Sequence, residues 1–210
     1  FTKFDAERDL IASQENRLGI ELDAVQLEAI HAALQNKVLI ITGGPGTGKT
    51  TLVRFILGLM SRRIPSVALA APTGRAAKRL TETTSYQAST IHRLLEADNM
   101  GFQRNRDQPL ESELLIIDES SMIDPLLMDA LLDAISSSAR LVLVGDVDQL
   151  PSVGPGMVLR DLIESELVAV VRLERIFRQA EDSLITSNAH HVRLGRLPEL
   201  PRGETTEKLK

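Results

Sequence analysis

No cysteine occurs among the 210 residues, so neither a disulfide framework nor a thiolate metal site is available to this chain. No run approaches the roughly eighteen apolar residues that a membrane-spanning helix needs. No secretory leader opens the sequence, so a soluble, cytoplasmic protein with no membrane partner is expected. A net positive charge is also lacking, since 24 Lys and Arg face 29 Asp and Glu: the formal net charge is −5 and the isoelectric point about 5.5, which at first sight argues against a nucleic-acid partner. The average hides a local excess, because residues 74–106 hold six basic side chains against three acidic ones, a balance of +3. The stretch before Lys37 runs the other way, with three basic and seven acidic side chains. Basic character is thus confined to the middle of the chain. Hydrophobic residues at 43% and charged residues at 25% are ordinary globular values, and the length suits one large domain with a substantial core.

The sequence is organised around residues 40–51, IITGGPGTGKTT. They contain a complete G-x-x-x-x-G-K-[ST] phosphate-binding loop between an apolar run and a helix-forming run. Val38 to Ile41 read as a buried strand, and Leu52, Val53, Phe55, Ile56, Leu57, Leu59 and Met60 as one broad face of a helix beginning near Lys49. Glycines at 43, 44, 46 and 48 free the backbone to adopt positive φ and to turn N–H groups toward phosphate oxygens. The helix start adds its positive dipole end. Gly43, Gly44, Pro45, Gly46, Thr47, Gly48, Lys49, Thr50 and Thr51 are therefore candidate nucleotide contacts. Lys49 is placed for the β- and γ-phosphates, and the Thr50 hydroxyl for Mg²⁺, a cation that prefers oxygen ligands.

Upstream, residues 1–19 suggest a surface helix with Phe4, Ile11 and Leu18 among charges, ended by Gly19. Residues 22–34 read as a firmer helix, capped by Asp23, with Leu22, Val25, Ala29, Ile30, Ala33 and Leu34 on its apolar face. Gln26 is either an amide suited to the paired edge of adenine or a solvated helix residue.

Downstream, residues 66–71 form a second apolar strand ending in Pro72-Thr73-Gly74, and a helix follows. Thr73, Arg75 and the turn amides are placed to grip a phosphodiester backbone. Residues 89–95 read as a short capped helix with Thr90 and His92 near its start; His92 alone reads equally as a packed surface residue. Phe102, Arg104 and Arg106 alternate within residues 100–110, as a small hairpin or as an exposed loop.

A third apolar strand ends in Asp118 and Glu119. Asp118 is placed to hold Mg²⁺ through a water together with Thr50, and Glu119 to activate an attacking water. Pro125 to Ile135 predict a helix capped by Asp124, with Leu126, Leu127, Ala130, Leu131 and Ile135 on one face. Leu141 to Val144 give a strand leading to Gln149, a candidate γ-phosphate contact. A helix near residues 157–163 and a strand over 168–173 follow, and then Arg178 either sets a positive charge on the γ-phosphate or pairs with Glu174. A helix is expected from Ser183 to about Leu194, where His190 and His191 project about 100° apart and so do not share a zinc site. Strands alternating with helices predict an α/β fold, a mostly parallel RecA-like sheet with helices on both faces.

These blocks resemble the first motor domain of RecD-like DNA helicases, within superfamily 1. The resemblance covers residues 22–198 and rests on GGPGTGKTT from Gly43, APTGRAAKRL from Ala71, STIHRLL from Ser89, LLIIDESSMID from Leu114, LVLVGDVDQLPSVGPG from Leu141, and RIFRQ from Arg175 with the Ala189-His190 helix after it. It implies ATP and Mg²⁺ as cofactors, Gln26 as the adenine reader, Gln149 as the γ-phosphate sensor and Arg178 as the first arginine finger. It also implies that Thr73, Arg75, Thr90 and His92 contact single-stranded DNA, that the 100–110 hairpin is a strand-separating pin, and that movement runs 5′ to 3′ in recombination or repair. Some such enzymes act inside a nuclease complex.

On this resemblance, residues 1–20 are a flanking helix, 21–198 the motor domain, and 199–210 a polar tail or the start of a linker to a second motor domain. That second domain, with its own arginine finger, has no counterpart in these residues. The 210-residue chain is therefore expected to bind nucleotide, hydrolyse it poorly and separate no strands in an unwinding assay. DNA affinity is expected to be weak and salt-dependent. The acidic net charge supports a rival expectation, a nucleotide-dependent switch acting on a protein partner. A third treats the chain as a nucleotide-binding module alone.

Overall fold

A computed structural model describes residues 3–149, 152, 154–175, 188, 191–192 and 194–198. Eight strands and seven α-helices are described in the order α1 (Lys3–Leu18), α2 (Ala24–Gln35), β1 (Val38–Gly43), α3 (Lys49–Met60), β2 (Val67–Ala71), α4 (Gly74–Thr84), β3 (Ala88–Thr90), α5 (Ile91–Leu94), β4 (Ala97–Asp98), β5 (Gly101–Phe102), β6 (Leu114–Ile117), α6 (Pro125–Ala134), β7 (Arg140–Gly145), α7 (Val158–Glu164) and β8 (Ala169–Leu173). Six strands form one parallel sheet in the order β3-β2-β6-β7-β1-β8. The expected α/β fold with a RecA-like parallel sheet is the fold observed.

The sheet is covered on both faces, which is why its strands read as unbroken apolar runs. Successive side chains alternate: Leu39, Ile41, Leu114, Ile116, Val142 and Val144 enter one core with residues of α1, α2 and α3. Ile40, Leu115, Ile117, Leu141 and Leu143 enter the other, with α5, α6 and α7. Helix α3 is buried on nearly all sides, since α1, α2 and α4 pack around it. The single apolar face expected for it understates that enclosure.

Several expectations need correcting. Helix α1 is more than a surface helix, because Ile11 and Gln14 are buried. Gln14 fills a niche over Gly58, where any β-carbon would strike its amide. On α2 the buried face is Gln26, Ala29, Ile30 and Ala33, whereas Val25 is 38% exposed. The Asp23 cap starts the helix at Ala24 and rotates Gln26 inward. On α6 the buried set is Leu127, Met128, Leu131 and Ala134, and Leu126 stands 82% exposed. The hairpin lies earlier than residues 100–110: β4 and β5 pair antiparallel across Asn99 and Met100. Asp98 Oδ1 accepts the Met100 N–H at 2.7 Å, and Gly101 takes φ +122°, which favours glycine. Arg104 and Arg106 do not extend the strand, since they pair with Glu96 at 2.8 Å and Asp133 at 3.1 Å. The helix expected from Ser183 to about Leu194 falls mostly outside the described residues. Among the described residues no helix is long and apolar enough to cross a membrane.

Strand β1 lies between β7 and β8, and its last residue, Gly43, is opposite Leu173. A β-carbon on Gly43 would sit 2.6 Å from the Leu173 carbonyl oxygen and 2.7 Å from Thr47 Oγ1. Gly43→Ala is therefore expected to lower unfolding free energy by about 1–3 kcal/mol, the usual cost of overpacking. Urea unfolding measures it; an unchanged midpoint contradicts the close packing described.

Candidate nucleotide-binding site

The loop after β1 turns twice through left-handed backbone, at Gly46 (φ +79°) and Gly48 (φ +84°). Gly43 is not left-handed; it is glycine because Leu173 and Thr47 approach it closely. Gly48 begins α3 with no side chain capping the helix, so the first-turn N–H groups remain available to an anion. The Thr47 hydroxyl donates to the Gly44 carbonyl at 2.8 Å and braces the loop from within.

Lys49 Nζ donates to the carbonyls of Gly43 and Gly44, the latter at 2.9 Å. Burial lowers the lysine's pKa, while Asp146, Asp118 and Glu119 act against that shift. Asp118 continues the β6 line, its N–H donating to the Ala70 carbonyl at 2.9 Å. Its carboxyl pKa is raised, chiefly by burial and further by Glu119; the Glu119 N–H bond, Lys49 and Arg79 oppose the rise. Glu119 adopts φ +53°, a conformation costly for a residue with a side chain and typical of functional strand ends. The turn at Ser120–Met122 is pinned by Ser120 Oγ donating to the Val144 carbonyl at 2.8 Å.

Most of the nucleotide-site residues inferred from sequence line one cleft of about 800 Å³, namely Gln26, Pro45, Gly46, Thr47, Gly48, Lys49, Thr50, Thr51, Asp118, Glu119 and Gln149, whereas Gly43 and Gly44 are not among its lining residues. Gln26 is buried rather than solvated, and its Oε1 accepts the Asp23 N–H at 3.2 Å. Its amide nitrogen has no hydrogen-bond acceptor among the described residues. Gln149 is tied to Asp146 through its backbone N–H at 3.2 Å and its Nε2 at 3.4 Å. Arg178 lies outside the described residues. Arg175, three positions earlier, lines the cleft and approaches Asp23 at 4.0 Å.

Sequence reasoning passed over Asp146, Arg79 and Arg175. Asp146 is buried and is the strongest acidic influence on Lys49; its signal was its place directly after β7. Arg79 shares the cleft with Ala76, Leu80 and Thr83, and the spacing of three and four along α4 was the available signal.

The four residues assigned to DNA lie apart from this cleft. Strand pairing sets Ala71 opposite Thr90, so the turns after β2 and β3 share one edge of the sheet. Thr73 and Thr90 cap α4 and α5, accepting the N–H groups of Ala76 at 3.2 Å and Arg93 at 3.1 Å. Arg75 is exposed, and His92 packs against Phe102 with ring centroids 5.8 Å apart. A groove of about 420 Å³ between α4 and β3 is lined by Thr90 with Gly74, Lys78, Thr81, Ser89 and Arg93.

The donors suit Mg²⁺. Thr50 and Asp118 offer hard oxygens, and partial burial raises the Asp118 carboxyl pKa. Among the described residues no cluster of three or more His, Cys, Asp or Glu is placed to hold a metal ion.

Comparison with known proteins places this geometry. A family model described as an AAA domain matches residues 26–155. The ATP-dependent RecD2 DNA helicase of Deinococcus radiodurans is 40% identical over 177 residues, covering 84% of this chain and 24% of that protein. The RecBCD enzyme subunit RecD of Mycobacterium tuberculosis is 40% identical over 163 residues, covering 66% of this chain and 28% of that subunit. A crystal structure of Pif1 helicase from Candida albicans superposes with TM-score 0.65 at 26% identity, covering 86% of this chain and 45% of that one. The chain belongs to the AAA domain family, as a RecD-like motor domain of superfamily 1. It spans about a quarter of the length of these two curated relatives.

A raised Asp118 pKa means that the folded state holds this proton more tightly than the unfolded chain. Stability is then lost as pH rises from the ordinary value of 3.8 through the raised native one. Asp118→Asn is expected to be more stable than the parent at pH 7, with the gap closing below pH about 3.8. Denaturant titrations across pH check this; a destabilised variant at pH 7 contradicts the assignment.

Proposed function

We propose that this chain is the first motor domain of an ATP-driven DNA helicase or translocase that moves 5′ to 3′ on single-stranded DNA in recombination or repair. The observation that carries the proposal is the convergence of Lys49, Thr50, Asp118, Glu119, Gln149 and Gln26 on one cleft. The name of the Deinococcus radiodurans relative, an ATP-dependent DNA helicase, supports the choice of ATP and DNA.

In this reading the loop amides and Lys49 bind the β- and γ-phosphates, and the Gln26 amide nitrogen reads adenine. When bound, Mg²⁺ neutralises phosphate charge, and Thr50 and Asp118 are the residues that hold it. Glu119 takes a proton from the attacking water, and Lys49 stabilises the charge that develops on the transferred phosphoryl. Gln149 contacts the γ-phosphate, and its tie to Asp146 links loss of that phosphate to the β7 turn. Arg178 is assigned the role of setting a further positive charge on the γ-phosphate.

Thr73, Arg75, Thr90 and His92 hold the DNA backbone along the β2 and β3 edge. A second motor domain closes over the nucleotide in the full-length protein, and hydrolysis opens the pair. Nuclease and helicase subunits are further partners, as the RecBCD subunit name of the mycobacterial relative suggests. In this reading the protein works on DNA in the cytoplasm.

ATP turnover by the full-length protein tests the reading. Single-stranded DNA is expected to raise turnover several-fold, and Lys49→Ala to cut it about 10²–10³-fold. Turnover indifferent to DNA contradicts the proposal and favours a switch whose partner is a protein.

A further inference from the structure

Helix α4 separates two concavities. Ala76, Arg79, Leu80 and Thr83, at positions i, i+3, i+4 and i+7 of the helix, line the nucleotide cleft. Gly74, Ala77, Lys78, Thr81 and Glu82 line the groove that also holds Thr90 and Arg93. At about 100° per residue these are different faces of one helix, so a force on one face is delivered to the other by a rigid rod.

Among the described residues lining the cleft, Lys49, Arg79 and Arg175 are the basic ones. Lys49 is bound to the carbonyls of Gly43 and Gly44, and Arg175 lies toward Asp23. On the groove face, Lys78 is 4.0 Å from Glu82. Arg79 differs: among the described residues no carboxylate lies within ion-pairing distance of its guanidinium, and no acceptor takes its N–H groups. Its charge nevertheless reaches Lys49 and Asp118, the residues that flank the phosphate position. A side chain with five donors and no acceptor, facing a cleft built for a polyanion, matches a phosphate group through its planar fork.

We propose that Arg79 engages the terminal phosphate of bound nucleoside triphosphate and thereby sets the position of α4, whose opposite face lines the polynucleotide groove. This rests on the nucleotide-binding reading above and deepens it. Arg79 then distinguishes triphosphate from diphosphate, and α4 transmits the difference to Gly74 and Thr81 in the groove.

The test uses the full chain with a fluorescent non-hydrolysable ATP analogue and with fluorescent ADP. Losing a charge-assisted phosphate contact is expected to weaken triphosphate binding about ten- to a hundredfold. Arg79→Gln should show that loss while ADP affinity changes by less than about twofold, and Arg79→Lys should recover part of it. With a labelled single-stranded oligonucleotide, the parent should bind with different affinity in the two nucleotide states, and Arg79→Gln with one affinity in both. Unchanged triphosphate binding, or an equal loss for both nucleotides, overturns the proposal while leaving the nucleotide site standing. A parent chain that binds neither nucleotide removes the nucleotide reading and this proposal with it.

Discussion

The structure depends on keeping one ammonium charged inside a partly dry corner. Burial works against the charge of Lys49, and three acids, Asp146, Asp118 and Glu119, work for it. Those acids are themselves crowded: Asp118 is partly buried, and its pKa is driven up by that burial and by Glu119. A triphosphate alone would be repelled by the carboxylates, and a divalent cation alone by the lysine. Together they meet both demands, since phosphate answers the lysine and helix amides while the cation answers the acids. The ammonium donates to the loop's own carbonyls, which keeps a half-buried donor satisfied.

The parallel sheet delivers these groups from distant parts of the sequence. Strand β1 carries the phosphate loop, β6 carries Asp118 and Glu119, and β7, between them, carries Asp146 and Gln149. Parallel pairing points all three carboxyl ends the same way, the usual location for ligands in open α/β sheets. Two cores hold the sheet from either side. Helix α4 lines both the nucleotide cleft and the groove at the β2 and β3 edge.

Much of this was legible in the sequence because the signals were local. Four residues of β6 and the loop after β1 are written contiguously, and a buried parallel strand admits little but apolar side chains. Faces of helices were read less well. Val25 and Leu126 were assigned inward on apolar character, but the caps at Asp23 and Asp124 set each helix phase and left those side chains in water. The hairpin was displaced because alternation of Phe102, Arg104 and Arg106 resembles a strand, whereas Arg104 and Arg106 are drawn back to Glu96 and Asp133. Gly43 owes its identity to a neighbour more than a hundred positions away, Leu173, and no local pattern carries that. Asp146 and Arg79 escaped notice for a related reason. Their importance lies in what they face across the cleft.

The central claim is that Lys49 exchanges loop carbonyls for nucleotide phosphates inside the cleft shared with Thr50, Asp118 and Glu119. A crystal structure of the protein with Mg²⁺ and a non-hydrolysable ATP analogue measures this directly. The account predicts Lys49 Nζ on phosphate oxygens and released from Gly43 and Gly44, with the metal beside Thr50 and Asp118. Nucleotide bound elsewhere, with the lysine still on its loop carbonyls, would contradict it.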